Sequence, residues 1–198
     1  MTATTGFTRR CAQTTLPGPS LRSTRLTDLR ERVLAATIVH GIGVRHGRPD
    51  GTVAVAGLGE LNLVVVRYGA EGTVDAFPTR NRFALTVPLG PMRLLAPEVT
   101  SELLTSGFAL AGDAHTVMRP DQHAGALVIS TKMTRVEEHL GTLLGRPQRT
   151  ALWSLPPSAP SAAPVAVLDT AWGSACLALA GAQPRSSRPS CGRWKTSG

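Results

Sequence analysis

The chain has 198 residues, enough for one domain with a real hydrophobic core and short for two. Its apolar fraction of 42% fits a globular protein, while aromatics at 4% leave the core to Val, Leu, Ala and Ile. The net charge of +8 would suggest a nucleic-acid partner, but its location argues otherwise. Arg9, Arg10, Arg22 and Arg25 near one end and Arg185, Arg188, Arg193 and Lys195 near the other carry all of it, so residues 26–182 are neutral.

Neither basic tail has the helical period or interleaved aromatics of a nucleic-acid module, so weak, non-specific phosphate contact is the most the tails offer. Cys11, Cys176 and Cys191 are odd in number and widely spaced, and make neither a disulfide framework nor a metal knuckle. No apolar stretch reaches membrane-spanning length, and residues 1–25 hold no signal-peptide apolar region. A cytoplasmic location and no membrane partner are the expectation.

Residues 1–26 are rich in Thr, Pro, Ser and Arg and read as a disordered basic leader. A helix is expected from Asp28, with Asp28 as N-cap and Glu31 completing a capping box. Leu29, Val33, Ala36 and Thr37 follow at helical spacing, and Gly41 and Gly43 are expected to end the run.

The period then changes from helical to alternating. Thr52 to Ala56 reads as a strand, and Gly57 and Gly59 as a turn. Leu61 to Tyr68 is the clearest strand, with Leu61, Leu63 and Val65 on one face and Val64 and Val66 on the other. Apolar residues on both faces imply cover on both sides. A turn and short strand occupy Gly69 to Asp75. Phe83, Leu85 and Val87 alternate with Ala84, Thr86 and Pro88, which predicts one buried face made by the larger set.

Further short strands are expected at Met92 to Leu95, Phe108 to Ala111, His115 to Met118 and Ala126 to Ser130, with a Gly112-Asp113 turn. Glu98 to Leu104 is open between helix and strand. From Thr134 the helical period returns, with Thr134 and Glu137 as a capping box and Val136, Leu140, Leu143 and Leu144 as one apolar stripe. Gly145 and Pro147 are its stop signals. Leu155 to Pro164 reads as a linker, Leu168 to Ala180 as a last short helix containing Trp172, and residues 181–198 as a disordered basic tail.

No pattern points to catalysis, metal or a cofactor. Gly57-Leu58-Gly59 lacks the third glycine of a dinucleotide loop, since Asn62 stands there, and a strand rather than a helix follows it. Of the five histidines, His40, His46, His115, His123 and His139, none lies two residues from another. His115 and His123 flank one predicted hairpin, yet two donors alone make no metal site.

Four segments in this order carry a family resemblance: Leu61-Asn-Leu-Val-Val-Val-Arg-Tyr68-Gly69, Phe83 to Gly90, Gly112-Asp113 to Pro120, and Ala126 to Ser130 running into a helix that closes on Leu144-Gly-Arg-Pro147. From about Asp28 to Trp172 the chain resembles the amino-terminal AraC-binding-like domain of AraC/XylS-type transcription regulators. The resemblance implies a β-rich α+β fold over residues 27–180, a cupin-like β-barrel or sandwich with an N-terminal helix and C-terminal helices. It implies a small-molecule effector inside the barrel, or a plain packed core, and helices used for a homodimer.

Leu63, Val65, Phe83, Leu85 and Val128 are the candidate effector-lining residues, and Val136, Leu140, Leu143 and Leu144 the candidate dimer helix. The resemblance also implies a downstream helix-turn-helix pair for DNA. The last sixteen residues do not have that pattern, and their composition suits a shifted reading frame. Truncation before the DNA-binding domain is therefore the expectation, a standalone domain the alternative. Two other classes stay open: a small cupin-like metal-dependent enzyme, and a protein that binds nucleic acid through its basic tails.

Overall fold

The computed structural model describes residue 16, residues 19–96, 99–104, 107–112 and 115–146, and residue 174. The linker, the last short helix with Trp172 (Ser174 apart), the basic tail, Pro147, Asp113 and all three cysteines lie outside the described residues. The leader is not wholly without structure as expected. Leu16 is buried, and β1 (Ser20–Ser23) pairs antiparallel with β3 (Gly51–Leu58).

Helix α1 spans Leu26–Leu34, two residues ahead of the expected start, and Arg25 occupies the N-cap position without a side-chain cap. Asp28 is therefore not the cap but sits in the first turn, where a carboxylate complements the helix dipole. The Ser23 hydroxyl organises this end instead: it accepts from Arg25 N at 3.0 Å and donates to Asp28 Oδ2 at 2.8 Å. Leu29 and Val33 are buried, as their spacing predicts. Gly41 and Gly43 do not end the helix. They lie in strand β2 (His40–His46), because Thr37-Ile38-Val39 is a β-branched run that favours extended backbone.

Arg82 holds the end of α1 in place. Its Nη1 donates to the carbonyls of Ala36 at 3.0 Å and Thr37 at 2.7 Å. Arg82→Met would leave these two acceptors without a charged donor, at a cost of about 1.5–3 kcal/mol read from urea unfolding. A loss under a few tenths would show that the clamp contributes little.

The remaining strands are β4 (Leu61–Arg67), β5 (Glu71–Ala76), β6 (Thr79–Pro88), β7 (Met92–Ala96), β8 (Val99–Leu104), β9 (Phe108–Gly112), β10 (Thr116–Pro120) and β11 (Ala126–Lys132). The open segment is thus a strand over its described part, Val99–Leu104. Two antiparallel sheets form, in the orders β1-β3-β4-β11-β6-β9 and β2-β5-β10-β7-β8. Within them β4 pairs β11, β5 pairs β10, β6 pairs β9 and β7 pairs β8. The chain from β4 to β11 is therefore a ribbon doubled back at β7–β8 and wrapped across two layers. Among the described residues the result is a β-sandwich with two helical elements, α1 and a second helix after β11.

Most of the core lies between the sheets. One cluster holds Ala76, Ala84, Met92, Leu94, Phe108 and Met118, and a second joins Leu29 and Val33 of α1 to Val53, Val64, Val66 and Tyr68. A third lies on the outer face of the larger sheet, where Leu63, Val87 and Leu127 pack with Leu16, Ala56 and Leu89. Strand β4 thus buries Leu63 outward and Val64 and Val66 inward, the two-sided cover its sequence predicts.

Helix α2 spans Met133–Leu144 and contacts β6 and β11. Its N-cap is Lys132, again without a side-chain cap, so Thr134 lies inside the helix and the expected capping box with Glu137 is not formed. The chain passes straight from β11 into α2, and the buried Met133 side chain anchors that start. Gly145 at φ 64° closes the helix as expected, with Arg146 N donating to the Gly141 carbonyl at 3.1 Å.

Candidate functional site

A cavity of about 50 Å³ lies between the two sheets. At about 10–15 Å³ per water it holds a few waters or one small organic molecule, far below the roughly 300–1,000 Å³ of a drug-sized pocket. Val66, Thr86, Leu110, Ala126 and Val128 line it from one sheet, and His40, Val74, Ala76, Met92 and Met118 from the other. Tyr68 and Thr37 add polar atoms, and no lining side chain carries a fixed charge.

His40 is the lining residue whose chemistry is most constrained. It pairs with Ala76 across β2–β5 and stands two residues from Ile42, so the two share the inward face of the strand. Only 3% of the residue is exposed. Nδ1 lies 2.9 Å from the Ile38 carbonyl oxygen, and Nε2 has no hydrogen-bond partner among the described residues. Burial pushes the imidazole pKa down, more than the Ile38 hydrogen bond raises it, and the Arg30 charge lowers it further. Burial likewise pushes the Tyr68 phenol up, so that it stays neutral.

A pH dependence follows from His40. The unfolded ring takes up a proton below its ordinary value of 6.5 while the folded ring resists. Stability carried by neutral His40 is therefore present above pH 6.5 and is lost as pH falls below it. The limiting slope for one proton is about 1.4 kcal/mol per pH unit. Urea unfolding between pH 7.5 and 5.5 should show this component in the native chain and not in His40→Gln; equal slopes would refute it.

Of the expected effector-lining residues, only Val128 reaches the cavity. Leu63, Val65 and Leu85 belong to the outer cluster of the larger sheet, and Phe83 shares their face by alternation. The cause is parity. Residues alternate strictly along a strand, and β4 and β6 are apolar on both faces, so the pattern does not say which set looks inward. The inward set on β6 is the smaller one, Ala84 and Thr86, because their β9 neighbours Leu110 and Phe108 fill the space beside them.

His40, Thr86 and Met118 were not foreseen as lining residues. A polar residue between apolar neighbours at a helix–strand junction was the only signal for His40. The other histidines take separate surroundings. His115 stacks on Phe77, with ring centroids 5.6 Å apart, and lies 3.7 Å from Asp75. His123 Nε2 meets Gln122 at 2.9 Å, and the extended strand β10 stands between it and His115 along the chain. Among the described residues no three His, Cys, Asp or Glu side chains come together as a metal site would need. Nor is any described helix long and apolar enough to cross a membrane.

The candidate dimer helix divides in two. Val136 and Leu140 are half-buried, whereas Leu143 and Leu144 are 68% and 56% exposed. The chain matches no protein-family model, and no curated protein matches it.

Proposed function

We propose that this chain is an effector-sensing and dimerising domain of a transcription regulator, with the cupin-like fold implied by its resemblance to AraC-binding-like domains. The observation that carries the reading is the small, largely apolar cavity between the sheets, lined by His40 with its unpartnered buried Nε2. The wrapping of the β4–β11 ribbon supports it, since a doubled ribbon rolled across two sheets is the path of a jelly roll. The exposed Leu143 and Leu144 at the end of α2 support a second copy of the chain as partner.

Sedimentation velocity tests the dimer. The native chain is expected to sediment as a dimer at tens of micromolar, and Leu143→Glu with Leu144→Glu to raise its Kd at least about tenfold, roughly 1.4 kcal/mol. A strict monomer at high concentration would remove dimerisation from the proposal. Stoichiometric iron, zinc or manganese on the purified chain would replace it with the enzyme reading.

A further inference from the structure

We propose that the cavity takes a small, uncharged, largely aliphatic molecule bearing one hydroxyl, whose O–H donates to His40 Nε2. This rests on the cavity being the effector site proposed above and names the chemical class that site selects.

The argument starts from the imidazole. A carbonyl oxygen only accepts, so the 2.9 Å contact to Ile38 requires the proton on Nδ1. Nε2 then carries a lone pair and can only accept. It is buried, belongs to a residue that lines the cavity, and has no partner among the described residues. Two other buried atoms, Ser130 Oγ and Arg119 Nε, also lack partners there, but neither residue lines the cavity. A buried acceptor left unsatisfied is unfavourable, and a ligand that brings a donor removes that penalty on binding.

The walls fix the rest of the molecule. Val66, Val74, Ala76, Met92, Met118 and Val128 offer only apolar surface. No lining residue carries a fixed charge to neutralise a carboxylate or an ammonium, so a charged ligand is disfavoured by desolvation. A carboxylate would also place its oxygens against the Nε2 lone pair. With a volume of about 50 Å³, the cavity suits a short-chain alcohol better than a sugar or an aromatic acid.

Isobutanol and 1-chloro-2-methylpropane have nearly the same shape, and only the first has an O–H. Titrating each into the full chain with labelled methionine methyls and histidine ¹⁵N reads both the cavity and the nitrogen. Isobutanol is expected to shift the Met92 and Met118 methyls saturably, at least fivefold more tightly than the chloride, and to move Nε2 upfield. In His40→Phe the preference should fall within twofold. The native-chain nitrogen signal keeps the test valid if that variant does not fold. Equal affinities, or methyl shifts with an unmoved Nε2, would overturn the hydroxyl proposal while leaving a cavity that binds apolar ligands. No methyl shift with either compound up to its solubility would overturn the effector cavity as well.

Discussion

Phe108→Ala is expected to destabilise the chain by about 3–5 kcal/mol, the usual range for truncating a buried phenylalanine. Phe108 has no exposed surface and is among the largest fully buried side chains. It sits beside Thr86 in the β6–β9 register and packs between the sheets with Met92, Leu104 and Met118. Its neighbours on β6, Ala84 and Thr86, are too small to collapse into the vacated space. Against a total stability of roughly 5–15 kcal/mol, such a loss would leave a large unfolded fraction at 37 °C. Phe108→Leu should lose under about 1.5 kcal/mol, as a near-volume swap. Thermal or urea unfolding of the two variants checks this, and a loss below 1 kcal/mol for alanine would mean that Phe108 is not a keystone of the core.

Gly125→Ala is the second large effect, and its cause is backbone rather than packing. Gly125 has φ 74°, a region that costs an L-residue about 1–2 kcal/mol. A methyl there would also overlap the Val66 carbonyl oxygen and sit 2.9 Å from the Val66 carbonyl carbon. Neither atom can swing aside, since both belong to β4. The turn is held on both sides: Gly125 N donates to Asp121 O and Gly125 O accepts from Leu89 N, each at 3.1 Å. Asp121 Oδ1 accepts from His123 N and Ala124 N, each at 2.8 Å. The combined loss should reach about 3 kcal/mol or more once overpacking, roughly 1–3 kcal/mol, is included. Gly59→Ala is the control. Gly59 has a similar positive φ but nothing within 4 Å of the added carbon, so only the smaller conformational cost applies. Equal losses at the two glycines would show that the Val66 overlap is relieved by small backbone shifts.

Strand existence was largely legible from one-dimensional pattern. β3, β4, β6, β9, β10 and β11 fall where alternating apolar residues and Gly or Pro punctuation put them, because those signals act locally. The helix starts were misplaced for the opposite reason. Asp28 with Glu31 and Thr134 with Glu137 have capping-box spacing, yet both helices begin earlier. At α2 the chain leaves β11 directly, and burial of Met133 sets the start more strongly than a cap hydrogen bond would. Gly41 and Gly43 look like helix stops, but β2 needs residues there to pair with β5, and glycine is permissive enough to serve in a strand.

The sequence by itself determined a neutral core flanked by basic tails, a β-rich middle between two helices, and an apolar stripe on α2. Composition and local periodicity are enough for those, since each depends on neighbours a few residues apart. Only the tertiary structure decided which face of each strand looks inward, and so which residues line the cavity. Val128 kept its assigned place, Leu63, Val65, Phe83 and Leu85 moved to the outer face, and His40 entered from a strand not foreseen. A period of two is symmetric between the faces of a sheet, and only the packing of one sheet against the other breaks that symmetry.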